Sequence, residues 1–269
     1  MAEIKNTYNY LDIYLDKVRS QGRYAFTWNE IREQFDISEK ALNQALYRLK
    51  VKKRVAQIRK GFYAIITPEY SNYGMLPANL FIDDLMKSVN KRYYVGLISA
   101  AALYGAAHQQ PMQYFVITEK PAMRDIRTKK LKVNFYTKIE WLDQDIIQKK
   151  TDAGFINVSS PELTALDLLY YNKSIGLNQA VTILKELSDE IKSENLMRTA
   201  KSYPQIASIQ RLGYLFEKEL KNITLSRALL EILKGIKIFP VPLSNEKDRN
   251  GEIDETWKII KNTTIESDL

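Results

Sequence analysis

The stretch SEKALNQALYRLKVKKRVAQIRKGFYAII, Ser38–Ile66, decides how the chain is read. From Lys40 to Lys60 it holds eight basic residues (Lys40, Arg48, Lys50, Lys52, Lys53, Arg54, Arg59, Lys60) and no acidic one, a local charge of +8 that equals the formal net charge of the whole 269-residue chain. Ser38 predicts a helix N-cap, because its hydroxyl can accept one of the backbone N–H groups that the first turn leaves unpaired, and Glu39 suits the positive end of the helix dipole. At about 100° per residue, Leu42, Ala45, Leu46, Leu49 and Lys53 share one stripe, apolar until its last member. The opposite face carries Lys40, Asn43, Gln44 and Tyr47, with Arg48 on its flank. Such a face offers amides for base edges and cations for phosphates.

The neighbouring segments give this helix its setting. Upstream, Asn6 can cap a helix in which Tyr8, Leu11, Leu15 and Val18 recur at helical spacing and which ends before Gly22. Phe26 reads as a short extended link. Thr27-Trp28-Asn29-Glu30 has the spacing of a capping box, opening a short helix from Trp28 to about Gln34 with Ile31 and Phe35 inward. Downstream, Val55, Gln57 and the run 62–66 predict two strands around a turn at Arg59-Lys60-Gly61, where glycine accepts positive φ. Three helices, the last two joined by a tight turn and followed by a hairpin, is the order of a winged helix-turn-helix. The second paired helix of such a module enters the major groove. The candidate DNA-binding residues are therefore Lys40, Asn43, Gln44, Tyr47, Arg48, Arg59 and Lys60. The plainer reading is a solvated helix face and a polar hairpin tip, against which stands the lack of any interspersed acid.

Residues 69–78, bracketed by Pro68 and Pro77 and rich in turn formers, read as a linker between a winged domain at 1–68 and a larger α+β domain at 79–269. In that second domain, helices are expected at 79–89 and 97–107 and strands at 93–96, 113–118, 132–137 and 155–158. Ser160-Pro161-Glu162 opens a helical half with Ser160 as cap and Pro161 at the first helical position. A further strand is expected at 237–241. The tail from Asn245 reads as polar apart from Trp257-Lys258-Ile259-Ile260, with frayed last residues. The fold class is thus α+β with a small sheet and a helical C-terminal half. The loop 120–132 is basic, and its Arg124, Arg127, Lys129 and Lys130 form a second, weaker candidate DNA patch.

Several functional classes are disfavoured. The longest apolar run, 95–107, is interrupted by Gly96, Ser99, Tyr104 and Gly105 and falls short of the roughly 20 residues that span a bilayer. The opening Met-Ala-Glu-Ile-Lys lacks the pattern of a signal peptide. The absence of cysteine removes disulfide and thiolate chemistry and fits a cytoplasmic protein. With one histidine, His108, a histidine-based metal site is not expected. Ser99 and His108 lie nine positions apart on one helix with no third orienting group, a poor catalytic pair. Asp143 and Asp145 have the Asp-x-Asp spacing of nucleotidyltransferase metal ligands. The Gly-Ser segment such sites need upstream is missing, so the two read as surface residues beside Trp141. With no phosphate-binding glycine loop or zinc-ligand set, neither a cofactor nor enzyme activity is expected.

Four segments, in order, resemble the AbiEi antitoxins, the transcription-regulating half of a bacterial abortive-infection, type IV toxin–antitoxin pair. They are Arg59-Lys60-Gly61-Phe62-Tyr63, the run from Tyr94 to Gly105, the run from Ser159 to Leu169, and Arg211-Leu212-Gly213-Tyr214-Leu215-Phe216. The resemblance implies an N-terminal domain that represses its own operon at inverted repeats. It also implies a C-terminal domain that counters a cognate nucleotidyltransferase toxin. The expected partners are operator DNA and that toxin, with no membrane. A stand-alone regulator whose second domain senses a ligand or oligomerises is the alternative. The sequence past Lys221 matches no pattern of the family.

Overall fold

A computed structural model of the chain describes residues 10–106 and 113–265. Asn6, Tyr8, Ala107 and His108, and the last four residues, expected to fray, lie outside the described residues. By internal compactness the chain divides into a first unit, Met1–Tyr93, Met112–Thr137 and Gln148–Asn157, and a second, Tyr94–Pro111, Lys138–Ile147 and Val158–Leu269. Compactness thus groups the residues differently from sequence divisions at 68 and 78. Part of the stretch read as a linker is also packed, since Met75 and Leu76 are buried.

The chain begins with α1 (Tyr10–Ser20), β1 (Ala25–Thr27), α2 (Trp28–Gln34), α3 (Glu39–Val51), β2 (Val55–Arg59) and β3 (Phe62–Ile65). Both caps expected from sequence are present. Thr27 accepts from the Glu30 N–H while the Glu30 carboxylate accepts from the Thr27 N–H, and Ser38 accepts from the Ala41 N–H. The Phe26 segment is more than a link: β1 completes a three-stranded antiparallel sheet in the order β1-β3-β2, pairing Phe26 with Tyr63. Their rings stack at 5.5 Å. Leu11, Leu15 and Val18 of α1, Ile31 of α2 and Leu42, Leu46 and Leu49 of α3 close one core over this sheet with Phe26, Val55 and Ile65. Each such side chain stabilises the fold by about 1.5–3 kcal/mol through burial.

The following elements are α4 (Ile82–Ser88), β4 (Tyr93–Val95), α5 (Leu97–Leu103), β5 (Gln113–Thr118), β6 (Ile126–Arg127), β7 (Lys132–Thr137), β8 (Ile146–Thr151) and β9 (Gly154–Ser159). Their sheet has the order β6-β7-β5-β4-β9-β8, with β5 parallel to β7 and β4 parallel to β9. Two strands are additions to the sequence reading. β6 is a short ribbon within the basic loop, and β8 is an edge strand whose side chains are half-buried or exposed.

The helical half comprises α6 (Pro161–Tyr170), α7 (Asn172–Ile175), α8 (Leu177–Leu187), α9 (Ser193–Ser202), α10 (Ile206–Tyr214) and α11 (Ile223–Leu233), and the chain closes with β10 (Val241–Pro242), β11 (Ile253–Asp254) and β12 (Ile259–Ile260). α6 lies at its centre, buried along Glu162–Leu169 and packed against α5, α8, α9 and α10. Ser160 accepts from the Leu163 N–H as its cap, with Pro161 at the first position. Three expectations are corrected. The strand at 237–241 is irregular up to 240, Phe239 is exposed, and only Val241 enters a strand. The segment 257–260 is not isolated: Trp257 and Ile259 are buried and β10, β12 and β11 form a sheet there, while 245–253 are exposed as their polarity predicts. Asp145 is no surface residue. It is buried, its carboxylate accepts from the Thr199 hydroxyl at 2.7 Å, and burial pushes its carboxyl up against the opposing pull of Thr199 and Arg198.

Candidate nucleic-acid interface

The capped start of α3 and the apolar stripe of Leu42, Leu46 and Leu49 fix the rotation of this helix. Lys40, Asn43, Gln44, Tyr47 and Arg48 are left exposed on its outer face. The turn between β2 and β3 carries Arg59 and Lys60 outward, also exposed, and Gly61 takes φ +76°, which a side chain would strain. The exposed members of one stretch thus form a single basic surface with amides and an aromatic ring among the cations.

A groove of about 630 Å³ crosses this surface, lined by Trp28, Asn43, Gln57, Arg59, Lys60 and Gly61 among others. Trp28 joins its three walls. Its backbone N–H donates to the Gly61 carbonyl at 2.8 Å, and its indole Nε1–H donates to Asn43 Oδ1 at 3.0 Å. Lys50 and Arg54 serve the scaffold. Lys50 donates to Gln57 Oε1 at 2.9 Å, tying α3 to β2, and Arg54 pairs with Asp12 of α1 at 3.3 Å. The sequence signal for Trp28 was its place in a capping box, which said nothing of its reach to Asn43.

Behind the groove, Arg23 bridges Glu30 at 2.8 Å and Asp84 at 3.4 Å. Burial alone would raise the Glu30 carboxyl, but the Arg23 guanidinium and the Thr27 N–H outweigh it and hold the group below its usual range. Glu30 therefore stays ionised as the second half of the capping box.

The residues of the second candidate patch differ among themselves. Lys130 Nζ donates to the Tyr73 carbonyl and sits over the Tyr73 ring at 5.5 Å, while Tyr73 Oη donates to the Lys130 carbonyl at 2.7 Å. Arg127 pairs with Asp125 at 3.1 Å. Arg124 and Lys129 are exposed. Arg127 is thus engaged within its own loop and Lys130 with Tyr73.

A separate polar cluster lies inside the second unit. Asp167 of α6, fully buried, accepts from Tyr94 Oη at 2.6 Å on one carboxylate oxygen and from Tyr203 Oη at 2.7 Å and Lys138 Nζ on the other. Lys138 also sits 4.5 Å from the Tyr203 ring centre. Burial, then the Asp167 charge, pushes both tyrosines well above the ordinary phenol range, so they remain donors. Every charge here is satisfied and enclosed, which makes the cluster a structural fastening. Among the described residues there is no group of three or more acidic or histidine side chains that could hold a metal ion, and no helix is long and apolar enough to cross a membrane.

Comparison with known proteins finds a family match, over residues of both units. Residues 94–218 match the AbiEi antitoxin C-terminal domain, which bears out the likeness of the segments at 94–105, 159–169 and 211–216. The match supports an antitoxin role in a toxin–antitoxin system. Comparison with curated proteins returns no match. Among solved structures, the crystal structure of the RV2827C protein from Mycobacterium tuberculosis is similar, with a TM-score of 0.62 at 16% identity over 96% of this chain and 92% of that one. At that identity the likeness concerns the fold, mixed α+β along nearly the whole chain.

Proposed function

Since residues 94–218 match an AbiEi antitoxin C-terminal domain, we propose that the chain is a cytoplasmic antitoxin and autorepressor. It reads operator DNA through α3 and the β2–β3 hairpin, used as a winged helix-turn-helix, and it restrains a cognate nucleotidyltransferase toxin, a pairing used in phage defence. The observation that carries the DNA half is the outer face of α3 from Lys40 to Arg48, which holds no acid, exposed beside Arg59 and Lys60. Lys40, Arg48, Arg59 and Lys60 neutralise phosphates and release counterions, and Asn43, Gln44 and Tyr47 face base edges. Arg124 and Lys129 extend the phosphate contacts. No catalytic step is assigned to the chain.

The test of the DNA half is a mobility-shift titration on the gene's own upstream region against random duplex. Equal affinity for the two would sink it. Lys60→Ala is expected to weaken binding to every sequence alike and to flatten the salt dependence by about one unit of slope, because one phosphate contact is lost. Gln44→Ala is expected to relax preference at one base pair, by about 1–3 kcal/mol of discrimination. The toxin half is tested by co-expressing the chain with the product of the adjacent reading frame. Rescue of growth is expected. An adjacent frame that encodes no nucleotidyltransferase, or a toxin that is not restrained, would leave only the regulator.

A further inference from the structure

The Trp28–Asn43 hydrogen bond gives one residue of the reading face a fixed chemical polarity. A carboxamide can present either its oxygen or its amino group, and sequence alone allows both. Indole Nε1–H is a donor only, so the atom facing it at 3.0 Å must be the Asn43 oxygen. That bond occupies an acceptor site on Oδ1 and fixes the plane of the amide, leaving the two Nδ2 protons as the part of Asn43 free to face the groove. The groove is lined by both residues together with Gln57, Arg59 and Lys60.

The bond contributes little to holding the fold. α2 is already capped by Thr27 and Glu30, its start is tied to the hairpin through the Trp28 N–H and the Gly61 carbonyl, and α2 and α3 meet through buried Ile31, Leu42 and Leu46. Its effect falls on recognition. Asparagine reads adenine by pairing its oxygen with N6–H₂ and its amino group with N7 in one plane; Oδ1 keeps a second lone pair, but that pairing would have to be made in the orientation that Trp28 imposes, whereas the amino group alone suffices for an acceptor. Guanine presents only acceptors at this edge, O6 and N7.

We propose that Trp28 is a specificity-setting residue that makes Asn43 a donor, so that the base it reads in duplex DNA is guanine and not adenine. This rests on the DNA-reading proposal above. The test uses the full-length chain and a duplex library with a randomised centre, sequencing the bound fraction for wild type, Trp28→Phe and Asn43→Ala. The wild type is expected to enrich a motif containing a guanine that Asn43→Ala relaxes. Trp28→Phe, which frees Oδ1, is expected to admit adenine at that position, lowering the guanine-to-adenine ratio on the order of tenfold and leaving the rest of the motif intact. An Asn43-dependent adenine in the wild-type motif, no position relaxed by Asn43→Ala, or a ratio unchanged in folded Trp28→Phe would overturn the inference while DNA reading stands. Should Trp28→Phe fail to fold, the identity of the Asn43-dependent base still decides. Absence of any enriched motif would instead remove the DNA-reading proposal, and this inference with it.

Discussion

Asp167→Ala is expected to lose about 3–5 kcal/mol of stability, the cost of breaking a buried ion pair on one side. Asp167 and Lys138 are both buried, and two phenol hydroxyls converge on the same carboxylate. Removing the carboxylate strands an ammonium and two donors away from water. A domain has only about 5–15 kcal/mol in total, so this single change spends a large fraction of it. Replacing both charges, as in Lys138→Met with Asp167→Leu, is expected to cost less than Asp167→Ala alone, because an apolar pair of similar volume is often neutral where a lone buried charge is not. The two tyrosines would still lack their acceptor, at about 1–3 kcal/mol for each hydroxyl left unsatisfied. Urea unfolding of the wild type, Asp167→Ala and the double variant measures this. A loss below about 1 kcal/mol for Asp167→Ala would show that the cluster is not the fastening described.

The same residues show how much of the molecule could be read in advance. Thr27, Glu30, Ser38, Ser160 and Pro161 act within four residues of themselves, and all occupy the capping positions that their spacing predicts. The stripe of Leu42, Leu46 and Leu49 likewise needs only helical periodicity. What sequence hid depends on distant partners. The edge strand β8 has too little buried face to alternate clearly. Asp145 looks like a surface acid until Thr199, 54 positions away, turns out to hold it. In the basic stretch, the count of eight treated all cations alike, whereas Lys50 and Arg54 are spent on Gln57 and Asp12. The exposed face of α3 was legible, and the direction of the Asn43 amide was not.

The family-like segments carry the same lesson one level up. Tyr94, Asp167 and Gly213 sit in three of the four segments that suggested an antitoxin, and each is buried structure. Tyr94 and Asp167 meet in the polar cluster. α10 anchors the C-terminal tail: Gln210 donates to the carbonyls of Phe239 and Trp257, and Arg211 donates to the Pro242 carbonyl at 2.9 Å and to Asn245 at 2.7 Å. Burial, with Arg249 nearby, lowers the Arg211 guanidinium to about 10, still charged at neutral pH. At these three positions the likeness falls on buried residues that hold the fold.

Gly213→Ala follows from that anchoring and has the other large expected effect. In an ordinary helix the change would stabilise by about 1 kcal/mol, since alanine is the better helix former. Here the added Cβ would stand 1.9 Å from Cζ3 and 2.2 Å from Cη2 of Trp257, distances no packed atoms tolerate. The ring has little freedom to yield, being fully buried with its Nε1–H on Glu217 at 2.7 Å and its backbone N–H on Asp254 at 2.8 Å. Either the helix shifts, at about 1–3 kcal/mol or more for overpacking, or the indole leaves and forfeits about 3–5 kcal/mol of burial. Both outcomes reverse the sign that propensity predicts. Removing the obstruction separates this clash from a general intolerance at the site: Trp257→Leu alone costs a cavity, and adding Gly213→Ala to it should cost far less than Gly213→Ala costs the wild type. The coupling, about 0.5–3 kcal/mol between residues in contact, is read from urea midpoints of the four proteins. In Gly213→Ala, hydrogen exchange over 253–260 should quicken before exchange in α6, because the tail has lost its seat while the helix beneath keeps its own.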